Sequence, residues 1–205
     1  MRKYRSILLL LVTALVLPAS GQSKKASNYQ YTVDLTQVVE DKVKVGLLSP
    51  RISSSEITFY LPKIVPGTYA IADYGRYVTD FNAVDKKGKA LPFEKINDNA
   101  WKIKNATRLH KISYWVNDSY DTEIGGPKIF EPAGTNIEEN KNYLINSAGY
   151  FGYFENMKER PIVLNVVRSK DLYGSTGLIP EKAGEPLTSI KLEKGSDVSD
   201  QREDT

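Results

Sequence analysis

The chain of 205 residues contains no cysteine, and His110 is its only histidine. The absence of cysteine excludes disulfide bonds, thiolate metal ligands, a cysteine nucleophile and a lipid anchor on cysteine. A zinc site of the His-Glu-x-x-His type needs two histidines on one helical face, which this chain cannot supply. A serine triad would need His110 as its base, and no Gly-x-Ser-x-Gly motif accompanies it. We therefore expect no catalytic, metal-binding or cofactor-binding residue here.

The chain also lacks an apolar run long enough to span a bilayer, which takes about 20 residues. Its longest run, Ile7 to Leu17, has eleven residues and is interrupted only by Thr13. Basic residues precede this run, and the small-residue segment 18–21 follows it. This pattern predicts a signal peptide over residues 1–21. We expect export to the periplasm or the extracellular space, without stable membrane insertion after cleavage.

Excess charge of one sign is missing as well. Of the 28 basic residues, Arg2, Lys3 and Arg5 lie in the predicted signal peptide, which leaves 25 against 25 acidic residues. A mature chain near neutrality lacks the one-sided basic surface of a nucleic-acid-binding protein. We therefore expect no nucleic-acid partner.

Aromatic residues are plentiful, and apolar residues alternate with polar ones along most of the chain. Thirteen tyrosines, six phenylalanines and two tryptophans offer large areas to bury. Alternation with a period of two predicts strands beginning at Tyr29, Val43, Glu56, Lys111 and Ile162. The fold class predicted is all-β, an antiparallel β-sandwich or saddle-like domain with long loops. The expected division is a flexible leader over 22–28, a β domain over 29–180 and a flexible tail over 181–205.

Two turns are predicted to form hairpins. Residues 40–42, Glu-Asp-Lys, separate the first two strands. Gly88, within Asp85 to Lys89, suits the left-handed position of a tight hairpin, after which Leu91 to Ile96 would return.

The most irregular apolar stretch is Leu61 to Val78, which we interpret as a corner between strands. Residues 65–67, Val-Pro-Gly, predict a turn because proline fixes φ and glycine accepts a positive φ. Asp73 and Arg76 stand three residues apart and would form an ion pair if Tyr69 to Tyr77 makes a helical turn. The corner is therefore interpreted as structural, with a ligand-facing loop as the alternative.

Two further segments carry candidate sites. The long loop 117–142 contains Asp118, Asp121 and Glu123, for which a solvated loop is the main interpretation and a calcium site the alternative. The glycine-aromatic segment Gly149 to Phe154 contains Tyr150 and Phe151, which either pack over bare backbone or face a ligand.

A family resemblance rests on the corner 61–78, on Trp101, and on the segments 129–136 and 149–152. Together they resemble the N-terminal domain of the glycyl aminopeptidase family, over roughly residues 28 to 180. Members of that family are exported metallopeptidases with a thermolysin-like catalytic domain and a PDZ domain after the N-terminal β domain. The resemblance implies that the zinc ligands and the general-base glutamate belong to a catalytic domain missing here, so the chain is expected to be truncated before it.

Two functions remain open at this point. The resemblance implies a non-catalytic domain that supports a catalytic domain and shapes the access of peptide substrates. Tyr69, Asp73 and Arg76 match the family element and are candidates for scaffolding or substrate contact, as are Tyr150 and Phe151. The alternative is a stand-alone extracytoplasmic module that binds a peptide or a glycan.

Overall fold

The computed structural model describes residues 28–68 and 70–176, together with the backbone of 189–192. The predicted signal peptide, nearly all of the predicted leader and the candidate Tyr69 lie outside the described residues.

Strands dominate the described chain, which confirms the predicted all-β class. Three short 3-10 helices and one α-helical turn (α1) interrupt them. The strands are β1 (Tyr29–Val39), β2 (Lys42–Leu48), β3 (Glu56–Tyr60), β4 (Val78–Asp85), β5 (Phe93–Asn97), β6 (Ala100–Lys104), β7 (Leu109–Asn117), β8 (Asn136–Glu138), β9 (Asn142–Leu144), β10 (Tyr153–Phe154), β11 (Ile162–Val167) and β12 (Ser189–Leu192). The helices are Tyr74–Tyr77, Ala106–Arg108, Glu131–Ala133 and α1 (Ser147–Tyr150).

The strands form two main sheets and one small one. The larger sheet has the order β12-β11-β1-β2-β7-β4, and the second sheet has the order β10-β3-β6-β5. Among the strands of the described ranges, β8 and β9 pair only with each other. Every pairing is antiparallel except that of β1 with β11.

Residues that alternate between apolar and polar along the sequence also alternate between buried and exposed in the sheet. In β1, Tyr29, Tyr31 and Val33 are buried, whereas the residues between them are partly or fully exposed. The predicted hairpin of β1 with β2 is confirmed, and its turn residues Glu40 and Asp41 have φ of 50° and 54°. Positive φ at both central residues matches the twist of the flanking strands.

Aromatic side chains fill the space between the two main sheets. Phe59, on β3, is fully buried. Its ring centroid lies 5.9 Å from that of Phe81 and 6.0 Å from that of Tyr114, both on the opposite sheet. Phe154, on its own sheet, lies 5.4 Å away. The aromatic side chains that are abundant in the sequence therefore form much of the core.

The hairpin predicted after β4 is only partly formed. Gly88 has a φ of 76°, as predicted, and the N–H groups of Lys87 and Lys89 donate to the carboxylate of Asp85. Beyond one bridge between Val84 and Ala90, however, the chain crosses to the second sheet, where β5 pairs with β6. The prediction that the segment after the turn returns along β4 was therefore wrong.

Strand β12 lies within the tail that the sequence predicted to be flexible. Its backbone pairs antiparallel with β11. Residues 177–188 and 193–205 lie outside the described residues. Four residues of the tail thus extend the larger sheet by one strand.

Candidate functional site

The corner between β3 and β4 ends in the 3-10 helix Tyr74–Tyr77. Gly67 has a φ of 90°, as the predicted turn requires. The carbonyl of Lys63 accepts from the N–H groups of both Ala72 and Asp73 at 2.9 Å, which closes the loop on itself. Asp73 precedes the helix in the left-handed conformation, with φ 48° and ψ 59°.

Asp73 and Arg76 do not form the predicted ion pair. None of the ion pairs found in the described residues joins them. The carboxylate of Asp73 instead accepts from Nδ2 of Asn99 at 2.7 Å. Because the left-handed residue and the short helix turn the two side chains toward different neighbours, the spacing of three did not bring them together.

Arg76 binds backbone carbonyls rather than a carboxylate. Its Nε donates to Ala72 at 3.1 Å, and its two terminal nitrogens donate to Gly125 and Pro127 in the long loop. The guanidinium also lies 5.1 Å from the ring centroid of Tyr77. Arg76 therefore cross-links the corner to the long loop.

An apolar cluster separate from the main core holds these two loops together. Val65 and Ala72 of the corner pack with Ile129 of the long loop, and the cluster continues through Tyr74, Tyr77, Ala133 and Ala148. The hydroxyl of Tyr74 donates to the carbonyl of Ala133 at 2.8 Å, and burial raises the pKa of Tyr74 to about 12. We call residues 61–78 together with 118–135 the corner lobe.

The acidic cluster of the long loop is not simply solvated. Asp118 is only 1 % exposed, and its carboxylate accepts from the N–H groups of Tyr120 and Ile137 at 2.5 Å. Burial raises the pKa of Asp118, although these two N–H groups favour its charged form. Asp118 therefore organises backbone, and the solvated-loop interpretation was wrong for this residue.

The glycine-aromatic segment is buried. Tyr150 and Phe151 are 0 % and 4 % exposed, so the structure places them in the core rather than on a ligand-facing surface. Gly152 permits this packing, because a Cβ there would lie 2.5 Å from Cζ of Phe59. The hydroxyl of Tyr150 has no hydrogen-bond partner among the described residues.

An open groove of about 920 Å³ lies beneath the corner lobe, at one end of the second sheet. Asp73 lines it, together with residues of the corner, of the turn before β6 and of the segment after β10. Its accessible apolar residues are Ile64, Ile71 and Tyr60. Leu61 and Tyr153 also line it but are buried, and the ring centroid of Tyr153 lies 5.8 Å from that of Tyr60. Ile71 is 50 % exposed.

Charged side chains surround this apolar surface. The residues that line the groove include three acidic ones, Asp73, Asp98 and Glu155, and two lysines, Lys63 and Lys158. Of these five, sequence reasoning selected only Asp73. Lys63 lies in the apolar corner, whereas Asp98, Glu155 and Lys158 lie in polar segments that no local pattern distinguishes from solvated loops.

Comparison with known proteins assigns the chain to a family. Residues 30–194 match the family described as the peptidase M61 N-terminal domain. The chain belongs to this family. The coarser part of the resemblance, an N-terminal domain of a peptidase family, is thereby confirmed. No curated protein matches the chain.

A solved structure shows where this M61 N-terminal domain fold recurs. The crystal structure of an aminopeptidase N family protein from Idiomarina loihiensis matches with a TM-score of 0.66 at 18% sequence identity. The match covers 85% of this chain but only 28% of that protein. The likeness shows a shared fold, and the M61 N-terminal domain spans under a third of that protein's length.

The described part of this M61 N-terminal domain does not fit a catalytic zinc ion. No three His, Cys, Asp or Glu side chains lie together there as candidate ligands. His110 lies on β7, where its backbone carbonyl accepts from the N–H of Ser49. No helix within the described ranges is long and apolar enough to cross a membrane.

Proposed function

We propose that this chain is the non-catalytic N-terminal β domain of an exported metallopeptidase similar to the glycyl aminopeptidases. In this role it supports the catalytic domain and shapes the access of peptide substrates. Zinc would be bound by the catalytic domain and not by this chain. The family match supports the placement in a peptidase, while export rests on the pattern of residues 1–21.

The corner lobe is the observation that carries this proposal. It has its own apolar cluster, and Arg76 cross-links its two loops, so its surface is held in one shape. Among its described residues, two large apolar side chains nevertheless remain exposed, Ile71 with 50 % and Phe130 with 59 % exposure. Apolar side chains on a pre-organised surface are typical of protein contact sites. We assign this surface to the catalytic domain.

The alternative, a stand-alone binding module, is favoured by one observation. The groove beneath the corner lobe has a volume within the range of ligand sites, about 300 to 1,000 Å³. A stand-alone module would need this groove but no contact through Phe130. The supporting role in a peptidase therefore depends on Phe130, whereas the stand-alone binding role depends on the residues that line the groove.

The test supplies this chain in trans to a family peptidase lacking its own N-terminal domain. Association would be measured by sedimentation velocity, and peptide hydrolysis would be followed in parallel. We expect a complex with higher hydrolytic activity than the catalytic portion alone.

The matched variants are Phe130→Ser, on the corner lobe, and Leu144→Ser, on β9 and 45 % exposed. Truncating a central apolar anchor weakens binding by more than about 1 kcal/mol, or at least about fivefold. We expect that loss for Phe130→Ser and none for Leu144→Ser. The absence of any complex, or equal effects of the two variants, would contradict the proposal.

A further inference from the structure

We infer that one end of the domain binds the surface of an anionic phospholipid membrane. This surface, which we call the basic end, is formed by residues 48–56, 84–89 and 104–111. It precedes β3 and β7 and follows β4, whereas the corner lobe follows β3 and β7 and precedes β4. The two surfaces therefore lie at opposite ends of the strands, and the inference goes beyond the proposed function.

Strand pairing brings the three segments of the basic end together. Leu48 and Val84 both lie opposite Lys111, on the two sides of β7. The N–H of Ala106 donates to the carbonyl of Ser55 at 2.8 Å. The basic end thus includes parts of both main sheets.

Positive charge is in excess at the basic end. Its three segments contain seven basic and two acidic residues. The basic residues are Arg51, Lys86, Lys87, Lys89, Lys104, Arg108 and Lys111. The adjoining segment before β11 does not reverse this excess, because Glu159 there is flanked by Lys158 and Arg160. Since the mature chain is expected to be near neutrality, its positive charge is concentrated at this end.

Both acidic residues of the basic end already have cationic partners. Asp85 contacts Arg108 and accepts from two backbone N–H groups of its own turn. Glu56 forms an ion pair with Lys102 at 2.8 Å, and the charge of Lys104 also acts on it. The exposed basic residues that form no ion pair with any described residue are Arg51, Lys86, Lys87, Lys89 and Lys111.

The composition of the basic end favours a lipid surface over other polyanions. Its segments contain no Phe, Tyr or Trp, so they offer none of the rings on which single-stranded nucleic acids stack. Four of the five unpaired cations are lysines, which act as point charges and lack the planar fork with which arginine recognises one phosphate. Leu48, which is 40 % exposed, lies opposite Lys111. Binding at a membrane surface combines attraction to anionic lipids with such an apolar contact.

The position of the predicted signal peptide also favours a membrane. Strand β1 begins beside the basic end, because Gln30 lies opposite Leu48. The predicted signal peptide ends at residue 21, and residues 22–29 span at most about 30 Å when fully extended. During export the start of β1 would therefore lie within about 30 Å of the membrane that holds the signal peptide.

The test is cosedimentation of the chain from residue 22 onwards, the form expected after export, with lipid vesicles at low salt. One set of vesicles contains phosphatidylcholine alone, and the other contains equal parts of phosphatidylcholine and phosphatidylglycerol. We expect binding to the anionic vesicles only. About 1 M salt, which screens charges beyond about 3 Å, should release the chain.

Matched variants remove the same charge from different parts of the molecule. The test variant combines three substitutions in the turn after β4, Lys86→Gln, Lys87→Gln and Lys89→Gln. The control combines three at exposed positions outside the basic end, Lys128→Gln, Lys141→Gln and Lys170→Gln. A basic residue near an anionic membrane strengthens binding about fivefold, so the test variant should bind at least about tenfold more weakly. The control should lose much less.

An apolar variant distinguishes a lipid surface from a soluble polyanion. Leu48→Ser should weaken binding to anionic vesicles about two- to fourfold, because part of this side chain is removed from water there. It should leave binding to heparin unchanged. Equal losses for vesicles and heparin would assign the basic end to a soluble polyanion and overturn the inference.

Two further results would overturn it: equal binding to the two sets of vesicles, or equal losses for the two triple variants. Phe130→Ser, on the corner lobe, should bind anionic vesicles as strongly as the unchanged chain. If vesicle binding fails while association through Phe130 persists, only this inference falls. If that association fails while vesicle binding persists, only the docking proposal falls.

Discussion

The side chain of Asn99 fixes Asp73 and the helix that follows it. Nδ2 of Asn99 donates to the Asp73 carboxylate at 2.7 Å, and Oδ1 of Asn99 accepts from the N–H of Gly75 at 2.9 Å. Asn99 is only 9 % exposed, so both bonds are largely shielded from water. This single amide thus ties the corner lobe to the turn on the opposite side of the groove.

Replacing Asn99 by alanine should destabilise the domain. The N–H of Gly75 would lose its partner while remaining buried, which costs about 1 to 3 kcal/mol of unfolding free energy. Urea denaturation would measure the loss. Asn165→Ala, at an exposed position of β11, is the control and should change stability by less than about 0.5 kcal/mol. Equal losses for the two variants would show that Asn99 has no special role.

Removing Arg76 should loosen the long loop without unfolding the sheets. Arg76→Ala deletes the bonds to the carbonyls of Gly125 and Pro127. Loss of about 1 kcal/mol raises the open population of the loop about fivefold. Tryptic cleavage after Lys128 should accelerate accordingly, whereas Arg51→Ala, at an exposed site outside the corner lobe, should leave its rate unchanged. Unaltered cleavage in Arg76→Ala would refute the cross-link.

Gly75 should not tolerate alanine, because a Cβ there would lie 2.1 Å from the carbonyl oxygen of Asp98. Relieving such a clash requires backbone movement and costs about 1 to 3 kcal/mol or more. Gly125→Ala is the matched control, since its Cβ would have no neighbour within 4 Å. Thermal unfolding should show a lower melting temperature for Gly75→Ala alone. Similar melting temperatures for the two variants would mean that the backbone at Asp98 moves away at little cost in free energy.

Alkaline pH should weaken the domain through Tyr74. Burial raises its pKa from 10.0 to about 12, so the unfolded chain loses this proton first. The unfolding free energy should therefore fall as the pH rises from about 10 to about 12. Tyr74→Phe removes the hydrogen bond to Ala133 and costs about 1 kcal/mol at neutral pH, but it should make the alkaline decline shallower. Denaturant titrations at several pH values would measure both effects. If the unfolding free energy of Tyr74→Phe falls as steeply with pH as that of the unchanged chain, Tyr74 does not cause the alkaline decline.

The local pattern of apolar and polar residues was sufficient to predict most of the strands. The alternation along β1, β2 and β7 predicted which side chains are buried, because a strand turns successive residues to opposite faces. The turns at Gly67 and Gly88 were predicted because each requires a positive φ that glycine adopts without strain. These features depend on neighbours in the sequence, and the sequence displays those neighbours directly.

The candidate site could not be predicted in the same way. The sequence singled out Asp73 and Arg76 and predicted that they pair with each other, but their partners are Asn99 and the carbonyls of residues 125 and 127. The groove likewise joins segments from the corner, from the turn before β6 and from the chain after β10. Contacts between such distant segments depend on how the strands are ordered, which no local spacing reveals.

The sequence by itself determined the all-β class, the alternating faces of the strands, the left-handed turn glycines and the exclusion of cysteine and two-histidine zinc chemistry. These follow from residue identity and from the period-two geometry of a strand. Only the tertiary structure decided that β4 and β5 lie in different sheets, that Tyr150 and Phe151 are buried, and that Asp118 organises backbone. Those outcomes depend on which distant surfaces pack together to bury apolar area and satisfy polar groups. The same packing brings Asp73, Asp98 and Glu155 to one groove.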